Sequence, residues 1–174
     1  MCGAVAAVRP ARHGGAGRMI PITADYFDAA PVPDGVLVRM AANVEDTLAH
    51  QITGLIGFLQ APAVTRAQAR LHRRVFPDAY RSRAAARDFR GRHAADLHDT
   101  AAAERVLARC RERSPFVLDR SELQDWLSTV GLLRLLDEPR RGGRRSVSGA
   151  WYGHIQDSLV LAADPGLATG WDRL

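Results

Sequence analysis

The chain has 174 residues, 47% of them hydrophobic and 25% charged, with a formal net charge of +5. That length suffices for one domain that buries roughly 70% of its unfolded surface without disulfide or metal staples. All 24 basic side chains are arginine, which excludes Schiff-base, P-loop-lysine and amine-base chemistry and leaves permanently charged, forked donors.

Residues 1–18 are rich in Gly, Ala and Arg without periodicity and are expected to form a mobile tail. The opening Met1-Cys2-Gly3 is shared with amidotransferases that use an N-terminal cysteine, but their Asn-His-Gly stretch is missing. Pro33-Asp34-Gly35 is a turn signal. After it Val36, Val38 and Met40 alternate with Leu37 and Arg39, and Ile20 to Phe27 is the expected partner strand. Asn43 is expected to cap a helix whose apolar face runs Val44, Leu48, Ile52, Leu55, Ile56 and Leu59, ended by Pro62. Thr65-Arg66-Ala67-Gln68 is a capping box for a helix that reaches Phe76 and stops at Pro77.

Ser82 starts a helix carrying Phe89, Ala94 and Leu97. Asp99 or Thr100 starts the next, with Val106, Leu107 and Cys110, ended before Ser114-Pro115. Asp119-Arg120-Ser121-Glu122 is a second capping box, followed by the stripe Leu123, Trp126, Leu127, Val130 and Leu133. A loop over 138–149 holds Arg140-Arg141-Gly142-Gly143-Arg144-Arg145, and a last helix carries Trp151, Ile155, Leu159 and Ala162. The expected fold is mainly α: a single-domain bundle of about six helices with a small N-terminal β-hairpin. It occupies residues 19–163, between the tail 1–18 and a loosely attached C-terminal tail, 164–174.

Cys2 and Cys110 make no disulfide framework and fit a reducing cytoplasm. No run approaches the ~18 apolar residues of a membrane span, and no apolar segment follows Arg9, Arg12 and Arg18 as a signal peptide requires. Charge is uneven. Arg66 to Arg113 holds 13 Arg against 6 acids, net +7, while the remainder holds 11 against 13, net −2. A basic segment points to an anionic partner; a solvated helical surface in an arginine-biased proteome accounts for it equally.

The stretch Arg74-Val75-Phe76-Pro77-Asp78-Ala79-Tyr80, with Asp88-Phe89-Arg90, resembles an actinobacterial family, domain of unknown function 2017. Trp126-Leu127 with Leu133-Arg134-Leu135, and Trp151 through Ile155-Gln156-Asp157-Ser158-Leu159-Val160, extend the resemblance across about residues 36 to 163. The chain is similar to a divergent member. Where the family usually has acids after the Pro-x-x-Tyr turn it has Arg81 and Ser82, and Gly131 and Leu132 replace a polar pair. Family genes often lie beside a gene for a proteolytic adaptor, so the resemblance implies a cytoplasmic regulatory or adaptor role.

Arg74, Arg90 and Arg134 at the motif positions are candidates, with Tyr80, to clamp a carboxylate or phosphate of a partner. The structural alternative is that these arginines satisfy helix C-terminal carbonyls or pair with Asp78 or Asp88, and that Tyr80 packs its ring. His93 with Asp96 and His154 with Asp157 are three apart and share helix faces. Di-iron bundles use Glu-x-x-His, which is absent, so no metal is expected. Cys110 sits between Arg109 and Arg111 but on apolar spacing, and reads as a buried small hydrophobe. No Gly-x-Ser-x-Gly or Gly-x-Gly-x-x-Gly motif supports catalysis or a dinucleotide cofactor. The expectation is a non-catalytic, cofactor-free cytoplasmic protein that binds a protein partner, in regulated proteolysis or gene expression. An arginine-driven nucleic-acid-binding regulator is the first alternative. An accessory enzyme or small-ligand binder in a specialised pathway is the second.

Overall fold

A computed structural model describes residues 26–61, 65–137 and 147–167. The expected tail 1–18 with Cys2, the Pro62 stop, the Arg140–Arg145 loop and residues 168–174 of the expected C-terminal tail lie outside the described residues. Residues 164–167, by contrast, form a turn with Leu167 N donating to the Asp164 carbonyl at 3.1 Å. Strands β1 (Phe27–Val32) and β2 (Gly35–Met40) form an antiparallel hairpin, paired from Val32↔Gly35 to Phe27↔Met40. The partner strand therefore lies later than the expected 20–27. The two-residue turn at Pro33 and Asp34 sets this register, because strands so closely joined must pair from the turn outward. Val36, Val38 and Met40 face the core, as the alternation predicts.

A third strand, β3 (Phe116–Leu118), adds to β2 and completes the order β1-β2-β3. Gly35 is required at this junction. Its φ is +147°, and a Cβ there would stand 2.0 Å from the Leu118 carbonyl oxygen.

Helix α1 (Ala42–Gln60) buries Val44, Leu48, Ile52, Leu55 and Leu59. Its cap is Ala41 and not Asn43, which falls inside the first turn. α2 (Arg66–Val75) begins with the expected capping box. Thr65 Oγ1 accepts from Gln68 N at 3.1 Å, and Gln68 Oε1 accepts from Thr65 N at 2.9 Å. The single helix expected from Ser82 to Leu97 is two: α3 (Arg83–Arg92) and a one-turn α4 (Ala94–Leu97). Gly91 weakens the helix, and His93 turns the chain at φ −106°, ψ 21°.

α5 (Ala101–Glu112) buries Val106, Leu107 and Cys110. α6 (Arg120–Asp137) starts at the second capping box, where Asp119 Oδ1 accepts from Glu122 N at 2.9 Å and Glu122 Oε2 accepts from Asp119 N at 3.1 Å. α7 (Val147–Ala163) buries Tyr152, Ile155, Leu159 and Ala162.

The core joins the sheet to α1, α5, α6 and α7. Its centre is Trp126, 1% exposed, whose ring lies 5.8 Å from Phe116 and 6.5 Å from Phe27. Among the described residues one charged residue is buried in this half: Glu45, 3% exposed, at the start of α1. Its carboxylate accepts from Ser114 N and from Arg113 Nη1 at 3.0 Å. Burial opposes its ionisation, but the bonds from Ser114 and Arg113 outweigh it and hold its pKa below the usual value. Arg113 sits at φ +69°, a region that favours glycine, and is kept there while it also bridges Asp46.

α2, α3 and α4 stand outside this core. They bury only Val75 and Ala86. Among the described residues, no helix is long and apolar enough to cross a membrane.

Candidate anion-binding groove

Residues 66–92 hold nine arginines and two aspartates, net +7, whereas 93–113 hold four arginines and four acids. The whole basic excess of the middle segment therefore belongs to α2, α3 and the turn between them. Arg66, Arg70 and Arg73 fall at i, i+4 and i+7 on α2, and Arg83, Arg87 and Arg90 repeat that spacing on α3. Residues so spaced share a helix face.

The two helices enclose a groove of about 920 Å³ whose walls carry Arg73, Arg83, Arg87 and Arg90. Half-buried Ala69, buried Ala86, His72 and Asp78 complete the lining. Among the described residues Arg73, Arg83 and Arg87 have no ion-pair partner. The two acids nearby are taken: Asp78 by Arg90 at 3.0 Å and Asp88 by Arg92 at 3.1 Å.

On α5, Arg105 and Arg109 are answered, while Arg111 and, at the start of α6, Arg120 have no ion-pair partner among the described residues. Arg105 makes a forked pair with Asp125 at 2.6 and 2.8 Å. Arg109 bonds Glu122 at 2.7 Å and Glu112 at 2.9 Å.

Arg74, His98 and His72 fasten the basic lobe to the core, and Arg90 braces the lobe itself. Arg74 Nη2 donates to the Leu136 carbonyl in the last turn of α6. Arg90 Nη2 donates to the Phe76 carbonyl at the end of α2 while its Nε donates to Asp78. His98 Nδ1 donates to the Leu59 carbonyl near the end of α1, and the His72 ring lies 4.3 Å from Phe58 and 5.8 Å from His98. Burial first, and then the charges of His98 and Arg90, lower the His72 pKa, so its ring is neutral at pH 7.

The motif residues are thus not one cluster. Arg74 reaches α6, and Arg90 braces the turn while forming part of the groove wall. Arg134 lies on the α6–α7 face, 3.4 Å from Gln156 Oε1, and Gln156 Nε2 donates to the Leu127 carbonyl at 3.3 Å. The bare Gly131 leaves room for this bridge, because a Cβ there would meet Gln156 Nε2 at 3.1 Å. Tyr80 is half-exposed, edge-on to Phe89 with centroids 5.7 Å apart.

His93 pairs with Asp96 at 3.0 Å, whereas His154 and Asp157 lie exposed on α7. Among the described residues no group of three metal-capable side chains forms. Cys110 is buried, and burial followed by the nearby Glu45 charge pushes its thiol up to about 12, which leaves no thiolate at neutral pH.

Arg73, Arg83 and Arg87 escape a search keyed to motif positions. Arg73 and Arg83 have no acid within one helical turn, and Asp88 beside Arg87 is taken by Arg92.

These features define a mainly α protein with a small three-stranded sheet and a segregated basic lobe. The family model for Domain of unknown function (DUF2017) matches residues 19–163, and the chain belongs to that family. Neither a search of curated proteins nor one of solved structures found a match.

Proposed function

We propose that this is a non-catalytic regulatory or adaptor protein of the cytoplasm that works by binding a protein partner through the α2–α3 lobe. One observation carries the reading: three guanidinium groups without acidic partners gather on one groove of the lobe, whereas Arg105, Arg109 and Arg113 beside the core each meet a carboxylate. Arginine forks that are not used internally are suited to carboxylates on another surface. Regulated proteolysis or control of expression is the setting in which such a part would serve.

A second reading, a nucleic-acid-binding regulator, draws on the same net +7 over residues 66–92. An accessory enzyme or small-ligand binder draws on a concavity of about 230 Å³ beside Trp126, whose lining Arg105, Arg109, Glu112, Glu122 and Asp125 are paired with one another.

The test is quantitative capture from the native host, comparing the wild-type chain with an Arg73→Glu/Arg83→Glu/Arg87→Glu variant that melts at the same temperature. Near-stoichiometric recovery of one protein, lost in the variant, is the expected result. Recovery of nucleic acid that falls steeply with salt would replace the adaptor reading with the second one. Equal recovery by both chains would remove the lobe from it.

A further inference from the structure

We infer that the α2–α3 groove receives an acidic peptide segment of the partner, its carboxylates engaged by Arg73, Arg83 and Arg87. This deepens the adaptor reading and rests on it. Charge complementarity is the first argument. Arg73, Arg83 and Arg87 line one concavity without an ion-pair partner among the described residues, and the acid in the same lining, Asp78, is engaged by Arg90. Arg83 and Arg87 are one helical turn apart, about 6 Å along the axis. Carboxylates one turn apart on a facing helix, or two residues apart on an extended strand, match that interval.

The shape of the groove is the second argument. Small Ala69 and Ala86 share the lining with the arginines, so a partner backbone can come close there while its side chains reach to the forks. The groove is about 920 Å³, the size of a short segment. A nucleic-acid duplex is read instead by an element projecting into its groove, and single strands are held on exposed aromatic platforms. Here the ring on the wall, His72, is already stacked on Phe58. The concave surface, with two alanines in its lining, therefore favours peptide over polynucleotide.

The experiment uses the full chain and fluorescence anisotropy with a labelled Glu-Ala repeat peptide of about three helical turns. Gln-Ala peptide, single-stranded oligo-dT and a mixed-sequence duplex serve as competitors. Two variants separate charge from shape. Arg83→Gln/Arg87→Gln removes exposed charge, and Ala69→Phe fills the groove with every charge in place.

The expected result is binding of the Glu-Ala peptide, no competition by Gln-Ala, and at least a tenfold loss in each variant. Tighter binding of either nucleic acid, unaffected by Ala69→Phe, would overturn the inference in favour of an open phosphate-binding surface. Peptide binding that both variants leave unchanged would also overturn it. Should Ala69→Phe melt early, Arg83→Gln/Arg87→Gln decides alone, since both side chains are exposed. Partner capture that persists while the peptide fails would sink the groove and spare the adaptor reading; loss of both sinks both.

Discussion

The half of the molecule built from the sheet, α1, α5, α6 and α7 differs from the lobe of α2, α3 and α4 in how it treats arginine. In the first, Arg105, Arg109 and Arg113 each meet a carboxylate, and the interior is a continuous apolar cluster around Trp126. In the second, burial is confined to Val75 and Ala86, and guanidinium groups stand without acids along a groove. The contrast separates two roles that composition merges. Beside the core, Arg105, Arg109 and Arg113 serve as fasteners; in the lobe, Arg74 and Arg90 fasten while Arg73, Arg83 and Arg87 are left for recognition. Substitutions in the first should cost stability, and substitutions in the second should cost binding.

The largest effect should come from Trp126→Ala, which empties the space between Phe27 and Phe116. A loss of about 3–5 kcal/mol in urea unfolding is expected. A loss under about 1 kcal/mol would mean that the sheet and the bundle are not one cooperative core.

Next comes Glu45→Ala, which strands the Ser114 N–H and the Arg113 guanidinium and should cost about 2 kcal/mol. The Glu45 pKa is lowered in the folded state, so its contribution is present above its unfolded value of 4.5 and is lost as pH falls through the folded value. The variant should therefore show a flatter acid limb in a plot of stability against pH.

His72 sets a smaller effect at milder pH. Its folded pKa lies below 6.5, so the unfolded chain takes up the proton first and stability falls as pH drops from 6.5 through the folded value. The protonated ring would face His98 and Arg90, with Arg73 next to it in the chain. Hydrogen exchange in α2 and α4 should quicken over that range while α5 and α7 keep their protection. Uniform change across the chain would contradict a separately fastened lobe.

The smallest stability effect belongs to Arg83→Gln/Arg87→Gln, within about 0.5 kcal/mol of wild type. A larger loss would make these side chains fasteners, like their counterparts on α5.

Much of the core half was legible because its periods are clean. The stripe Val44, Leu48, Ile52, Leu55, Leu59 and both capping boxes stand as read. β3 escaped because three residues carry no period, and its pairing with β2 is long-range. Asn43 misled because the chain leaves β2 straight into α1, and the turn entering the helix is secured by Ser114, which bonds Met40 N and O at 2.9 Å.

At the site, the basic excess and the helical spacing of the arginines were readable. Which arginines fasten and which remain available was not. That division depends on the carbonyls of Leu136 and Phe76, which α6 and the Pro77 turn bring to Arg74 and Arg90. The motif positions drew attention to fasteners, while the uncompensated groups lay between them.

Hydrogen exchange of the full chain with and without the Glu-Ala peptide bears on the division between the two halves most directly. Protection gained across residues 66–92, with α5, α6 and the sheet unchanged, is the expected result. Protection centred on α5 and α6 or on the β3 edge would contradict the assignment of recognition to the arginine lobe.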